Sequence, residues 1–184
     1  MADETQLLLD YARRGDVESL SAFVVSSTRG LMGYLRGMTP TDADAEDAFQ
    51  ECWIRVIKSA GFFRGGSARA YLMRIAHTVV IDRFRRRGAP TVSMDSDEAT
   101  ALSESLADDA LSPAETVELR NGLDDVRRAV RGLPDGPREV LLMRIEGELS
   151  YRQIAEQLGI PIGTALTWMH VATVRLRRSL GGEK

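Results

Sequence analysis

At 184 residues the chain has room for one large domain or two small ones, and its 43% apolar and 28% charged residues are those of a globular protein. No run of 18 or more apolar residues occurs, which excludes a transmembrane helix, and a lone cysteine, Cys52, excludes an internal disulfide. The net charge of −3 conceals an uneven layout: residues 1–88 carry 13 basic and 11 acidic side chains, residues 89–118 carry 8 acidic and no basic ones, and residues 119–184 carry 11 basic and 8 acidic. Two mildly basic lobes therefore flank an acidic strip. The acidic start Met1-Ala2-Asp3-Glu4-Thr5 lacks the basic and apolar regions of a signal peptide, so a cytoplasmic location is expected.

In chain order, apolar residues recur at helical spacing from Leu7 to Leu35 through Leu8, Tyr11, Ala12, Leu20, Phe23, Val24 and Leu31. Gly15-Asp16 punctuates this run, with Asp16 placed as an N-cap, and Thr39-Pro40-Thr41-Asp42 marks the next stop and restart. A third helix is predicted over about 43–59, with Ala45, Phe49, Trp53, Val56 and Ile57 on one face. A glycine-rich loop, Gly61-Phe62-Phe63-Arg64-Gly65-Gly66-Ser67, precedes a fourth helix over about 68–87 that ends in Arg83-Phe84-Arg85-Arg86-Arg87. No alternating strand pattern is present, so the fold class is all-α: two small helical domains at 1–88 and 114–184, joined by an acidic linker at 89–113. That linker is rich in Asp, Glu, Ser, Thr and Ala, without basic or aromatic residues, a composition that buries too little surface to offset ordering entropy. Beyond it, Leu119, Leu123, Val126 and Val130 predict one helix and Arg138 to Glu146 a short one.

The last elements have a recognisable form. Ser150 is a good N-cap; Ile154, Ala155 and Leu158 make an apolar face, and Gly159 suits the left-handed residue that closes a helix. Ile160 to Gly163 connects to a second helix from about Thr164 to Leu180, giving a helix-turn-helix, a motif whose second helix normally lies in the DNA major groove. Its first turns, Ala165 to Ala172, contain no Lys or Arg. Ala165, Met169, Ala172 and Leu176 form the expected buried stripe, with Leu166, Trp168, Val171 and Val174 largely outside it.

The run Asp44-Ala45-Glu46-Asp47-Ala48-Phe49-Gln50-Glu51-Cys52-Trp53-Ile54-Arg55 gathers Asp47, Gln50, Glu51 and Arg55 on one polar face and the aromatics on another. By residue chemistry alone, a solvated face over an aromatic core is the favoured reading. Its order, followed by the aromatic-glycine loop and an Arg-rich helix end, resembles region two of bacterial RNA polymerase sigma factors, most of all the small extracytoplasmic-function (ECF) group. Leu133-Pro134, Arg138-Glu139-Val140-Leu141-Leu142 and Leu149-Ser150-Tyr151-Arg152-Gln153-Ile154-Ala155 are similar to region four of the same group.

The resemblance implies a sigma factor that binds core RNA polymerase and directs promoter recognition and opening. Asp47, Gln50, Glu51 and Arg55 would engage the β′ clamp helices, with the β subunit also a partner; carboxylates and an amide suit charge-assisted bonds to arginine-rich helices. Phe62, Phe63, Arg64 and Ser67, with Gly65 and Gly66, match the loop that captures an unstacked base of the minus-ten element. Arg69, Tyr71, Arg74, His77 and Arg83 lie on or near the helix facing promoter DNA, and Arg85, Arg86 and Arg87 suit phosphate contacts. A core role is equally open to Phe62, Phe63 and Tyr71, and a packing or surface role to His77.

In the helix-turn-helix, Arg152, Thr164, Leu166, Thr167, Trp168, His170, Val171, Arg175 and Arg178 are the candidate contacts. Relatives carry basic residues where Leu166, Trp168, Val171 and Thr173 stand. Two readings follow: base contact through Thr167, His170 and apolar side chains against thymine methyls, or a protein interface. An anti-sigma factor and the chain's own first lobe are candidate partners for such an interface. The alternative function is accordingly a regulatory protein on the sigma scaffold. No nucleophile–base set, phosphate loop or metal-ligand spacing is present, so no enzyme, catalytic residue, cofactor, metal or membrane insertion is expected.

Overall fold

The computed structural model describes residues 3–86 and 125–181. Every regular element among them is helical. The linker at 89–113, Arg87, and the predicted helix positions Leu119 and Leu123 lie outside the described residues.

Helix α1 spans Glu4–Arg14 and α2 spans Val17–Met38. Asp3 and Asp16 cap them by accepting from the backbone N–H of Thr5 and Glu18, and Gly15 closes α1 at φ 68°, a left-handed conformation cheapest for glycine. Thr41 caps α3, Asp42–Ser59, through the N–H of Asp44. A single 3-10 turn at Ala60–Phe62 leads into the loop, and α4 spans Ala68–Arg86 with the Ser67 hydroxyl accepting from the N–H of Ala70 at 3.1 Å.

These helices enclose Leu8, Phe23, Leu31, Leu35, Ala48, Cys52, Val56, Leu72, Ala76 and Val79, all fully buried. Trp53 meets the rings of Phe23 and Phe49 edge-on, at 5.6 and 6.1 Å between centroids. Ile57, expected on this apolar face, is 50% exposed. Val56 takes the inward direction, and the next residue is rotated about 100° around the helix away from it.

The second lobe begins with α5, helical at 125–131. Helix α6 spans Asp135–Ile145, α7 spans Tyr151–Leu158 and α8 spans Ile162–Leu180. Two of these start earlier than predicted: α6 at Asp135 rather than Arg138, and α8 at Ile162 rather than Thr164. In both a proline stands immediately before the first turn, where its fixed φ is pre-organised for a helix; Pro137 is likewise tolerated within the first turn of α6, where its N–H is not needed. Ser150 and Gln153 form a reciprocal capping box on α7, and Gly159 closes it at φ 67°.

The two lobes are packed together. One continuous apolar cluster runs from the α1–α4 core through Met73, Leu142 and Met143 into Leu149, Ile154 and Ala165. Helix α2 and the end of α6 approach closely where α2 carries Gly30, Gly33 and Gly37 on one side. A Cβ at Gly30 would stand 2.3 Å from the Glu146 carbonyl oxygen, and one at Gly37 would stand 2.5 Å from a Leu142 methyl.

Candidate nucleic-acid interface

The polar face of α3 divides in two. Asp47 and Gln50 point outward and are exposed. Glu51 and Arg55 instead tie α3 to α4. The Arg55 guanidinium donates to Glu51 at 2.6 Å and to Asp82 at 2.8 Å, while Arg83 reaches Glu51 at 3.3 Å and Asp47 at 3.9 Å. Burial opposes the charge on Arg55, but its bonds to Asp82 and Glu51 outweigh that and raise its pKa. Asp82, which sequence reasoning missed, is the lone acid in a basic helix end; an isolated opposite charge of this kind is the one signal that pointed to it. Arg83, predicted at the DNA, is committed to this ion-pair row.

The loop separates its two phenylalanines. Phe62 is 78% exposed, and Phe63 is 7% exposed, its ring 5.2 Å from that of Tyr71. Tyr71 also shares a 2.6 Å hydrogen bond with the Ser59 hydroxyl. Phe63 and Tyr71 thus build the floor of the loop, and Phe62 is its projecting ring. Gly65 and Gly66 turn the backbone at φ 112° and 90°, a region L side chains rarely adopt. Thr5, another residue the sequence did not flag, donates to the Gly66 carbonyl at 2.9 Å and pins the loop to α1. Arg64 donates to the Gly61 carbonyl and is otherwise exposed, as are Ser67, Arg85 and Arg86.

The 69–73–77 face of α4 meets the second lobe. Arg69 is held by Glu4 at 2.6 Å and by Glu148 at 2.6 Å. The Ala70 carbonyl accepts from Gln157 at 2.8 Å, and Arg74 lies 3.9 Å from Glu156. Nδ1 of His77 lies 2.5 Å from Glu139, whose same oxygen accepts from the Tyr34 hydroxyl at 2.8 Å. Burial alone would lower the pKa of His77; the hydrogen bond and charge of Glu139 overcome it and raise the value above the ordinary histidine range. Burial and the neighbouring Glu139 push Tyr34 well up, so it stays a hydrogen donor. Neither Tyr34 nor Glu139 was predicted; the one hint was a glutamate heading the apolar run Val140-Leu141-Leu142.

In the helix-turn-helix, Arg152, Arg175 and Arg178 are exposed, and Thr164, Thr167, His170 and Val171 are partly so. Trp168 is half-buried. Its ring lies flat on Gly136 at the start of α6, so close that a Cβ there would stand 2.6 Å from it. Gly136 leaves a gap that only a large flat side chain fills, which draws Trp168 into the lobe although it falls outside the apolar stripe. The exposed large apolar side chains of α8 are Ile162 and Leu166 at its start, 51% and 48% exposed, and Leu180 at its end. Among the described residues no group of three or more His, Cys, Asp or Glu side chains is arranged to hold a metal ion, and no helix is long and apolar enough to cross a membrane.

Comparison with known proteins accounts for this arrangement. Residues 23–89 match the family model for sigma-70 region 2, and residues 123–176 match that for sigma-70 region 4. The ECF RNA polymerase sigma factor SigW of Bacillus subtilis is 32% identical over 143 residues, covering 74% of this chain and 75% of SigW. The fold is shared with CnrH, solved in complex with the cytosolic domain of CnrY, at a TM-score of 0.68 and 20% identity over 99% of this chain and 100% of the other. It is also shared with the sigma factor RpoE of Bartonella quintana, solved in complex with the anti-sigma factor NepR, at 0.67 and 19% over 91% and 99%. The match to both conserved regions, in order and across the turn chemistry described above, places the chain in the ECF group of the sigma-70 family, the factors that bind core RNA polymerase and direct it to promoters.

Proposed function

We propose that this sigma factor engages core polymerase through Asp47 and Gln50 on the outer face of α3, with Glu51 and Arg55 holding that face against α4. The minus-ten element then lies along the loop at 61–67 and α4, with Phe62 stacking an unpaired base, Arg64 and Ser67 at its polar edges, and Arg85 and Arg86 on phosphates. The observation that carries this reading is the split between the two phenylalanines: a ring 78% exposed on a loop anchored by a buried neighbour is poorly explained as core and well suited to a base. The protein works in the cytoplasm as a binding factor and not as an enzyme.

The test is in vitro transcription with purified core polymerase and a promoter library. Promoter-specific initiation that Phe62→Ala weakens supports the reading; polymerase binding without initiation overturns it.

The exposed pair Ile162 and Leu166 on a helix without basic residues in its first turns favours a second role for α8, contact with a protein. An anti-sigma factor, the kind of partner bound to RpoE of Bartonella quintana, fits that role. The polar contacts to the first lobe come from α5, α6, the α6–α7 turn and α7, so the chain's own first lobe is a weaker candidate for the partner of α8.

A further inference from the structure

We propose that Thr5, on the first turn of α1, is a positioning residue for base capture: its hydroxyl holds the glycine half of the loop in place, so that a base stacking on Phe62 meets a preformed site. This deepens the reading that the loop at 61–67 captures an unstacked base, and rests on it.

The two halves of the loop are held by different means. The first half is held from within and below. The Phe63 N–H donates to the Ala60 carbonyl at 2.8 Å, Arg64 donates to the Gly61 carbonyl, and the Phe63 ring is buried on Tyr71. The second half begins with Gly65 and Gly66, and a Cβ added at either would meet nothing within 4 Å. Two successive glycines in open space have more backbone freedom than any other pair of residues. Their restraint comes from outside the loop. The Thr5 hydroxyl donates to the Gly66 carbonyl at 2.9 Å and accepts from the Ala68 N–H at 3.4 Å. A hydroxyl offers both functions on one atom, so Thr5 brackets Ser67, the residue at the polar edge of the site, from both sides.

Thr5 is itself firmly placed. Its N–H donates to Asp3 at 3.0 Å, and the neighbouring Glu4 accepts two hydrogen bonds from Arg69 of α4, at 3.0 and 2.6 Å. Leu8, three residues further along the same helix face, is fully buried. The branched Thr5 side chain has few rotamers to lose. The start of α1 is therefore fixed to α4, and the glycines are fixed to the start of α1.

Gly66 is exposed, so its carbonyl can turn to water when the Thr5 hydroxyl is removed. The consequence falls on base capture. A loop that is not already ordered must be ordered when the base arrives, and that entropy is subtracted from the binding energy. One net hydrogen bond corresponds to about fivefold in affinity. The experiment uses holoenzyme assembled from the full chain and core polymerase, with single-stranded oligonucleotides selected from a randomised library. Replacing each base of the selected strand by an abasic site finds the captured base: base loss there weakens binding most, and Phe62→Ala abolishes the difference.

Thr5→Val keeps the side-chain shape and removes the hydroxyl. It should weaken binding of the intact strand about fivefold and leave binding of the strand abasic at the captured position unchanged. Thr5→Ser, which keeps the hydroxyl, should bind as the parent does. In a Phe62→Ala background Thr5→Val should add no further loss, because both changes act on the same base. Equal weakening of the intact and abasic strands overturns the proposal, since a merely structural role would act on both. A Thr5→Ser variant as weak as Thr5→Val overturns it too, as does a fivefold loss added on top of Phe62→Ala. The two readings fail separately: if no position depends on Phe62, the loop does not capture a base, whereas a Phe62-dependent position that Thr5→Val leaves unchanged removes the positioning role alone.

Discussion

The Tyr34 hydroxyl of α2 donates at 2.8 Å to the Glu139 carboxylate of α6, joining residues 105 positions apart in the chain. Both side chains are buried, and His77 holds the same oxygen from α4. Removing one donor leaves a buried charge undersatisfied, which for a bond to a charged group costs about 1.5–3 kcal/mol. Tyr34→Phe should therefore shift the ratio of packed to separated lobes by roughly tenfold or more, seen as a longer distance between fluorescent labels placed one on each lobe, while α1–α4 unfolds as before. An unchanged distance would mean that this bond does not hold the lobes.

The same carboxylate makes lobe packing dependent on pH. Surrounding His77 are Glu139 of α6, Tyr34 of α2 on the same oxygen, and Arg138 of α6, whose charge reaches Tyr34. Because the pKa of His77 is raised when the lobes are packed, its stabilisation is fully present below the ordinary histidine value of about 6.5 and is lost as pH rises through the raised value. The lobes should separate progressively above that ordinary value, and Glu139→Gln should flatten the dependence. A distance constant across this window in the parent chain would show that His77 does not control lobe packing.

Phe62 and Phe63 should behave oppositely. Phe62→Ala, at an exposed position, should leave stability within about 0.5 kcal/mol and weaken capture of a minus-ten strand by about 1–3 kcal/mol. Phe63→Ala removes a buried ring packed on Tyr71 and should destabilise the first lobe by about 3–5 kcal/mol in denaturant unfolding. Equal stability losses would mean that the loop is not divided in this way.

On α3, Asp47→Ala with Gln50→Ala should weaken binding to core polymerase by about tenfold or more, without changing the unfolding midpoint, since both side chains point outward. Glu51→Gln should lower that midpoint as well, because Glu51 bridges Arg55 and Arg83. Surface plasmon resonance against core polymerase, paired with thermal unfolding, distinguishes the two classes.

Leu166→Lys probes α8 more cleanly than any change at Trp168, because Leu166 is half exposed and Trp168 supports the lobe through Gly136. If α8 lies in the major groove, the lysine should add one phosphate contact and steepen the salt dependence of upstream DNA binding by about 1 in log–log slope. No change in slope would favour the protein-contact role.

Much of this fold was legible in the residues themselves. Asp16, Thr41, Ser150 and Gly159 mark helix ends because capping is settled by groups two or three residues apart, and the 3.6-residue period marks the buried faces of α2 and α3. The order of the Asp44 to Arg55 motif, the aromatic-glycine loop and the helix-turn-helix likewise pointed to the family, now shown by both region matches. What the sequence alone could not settle was which of two adjacent phenylalanines turns inward, that Trp168 seats on Gly136, or that Glu139 of one lobe sits between Tyr34 and His77 of the other. Those outcomes depend on pairings 8 to 105 residues apart, and on gaps left by glycines in a different helix. No local period or cap encodes such a pairing; only the assembled surfaces, through shape and the need to satisfy buried charge, select it.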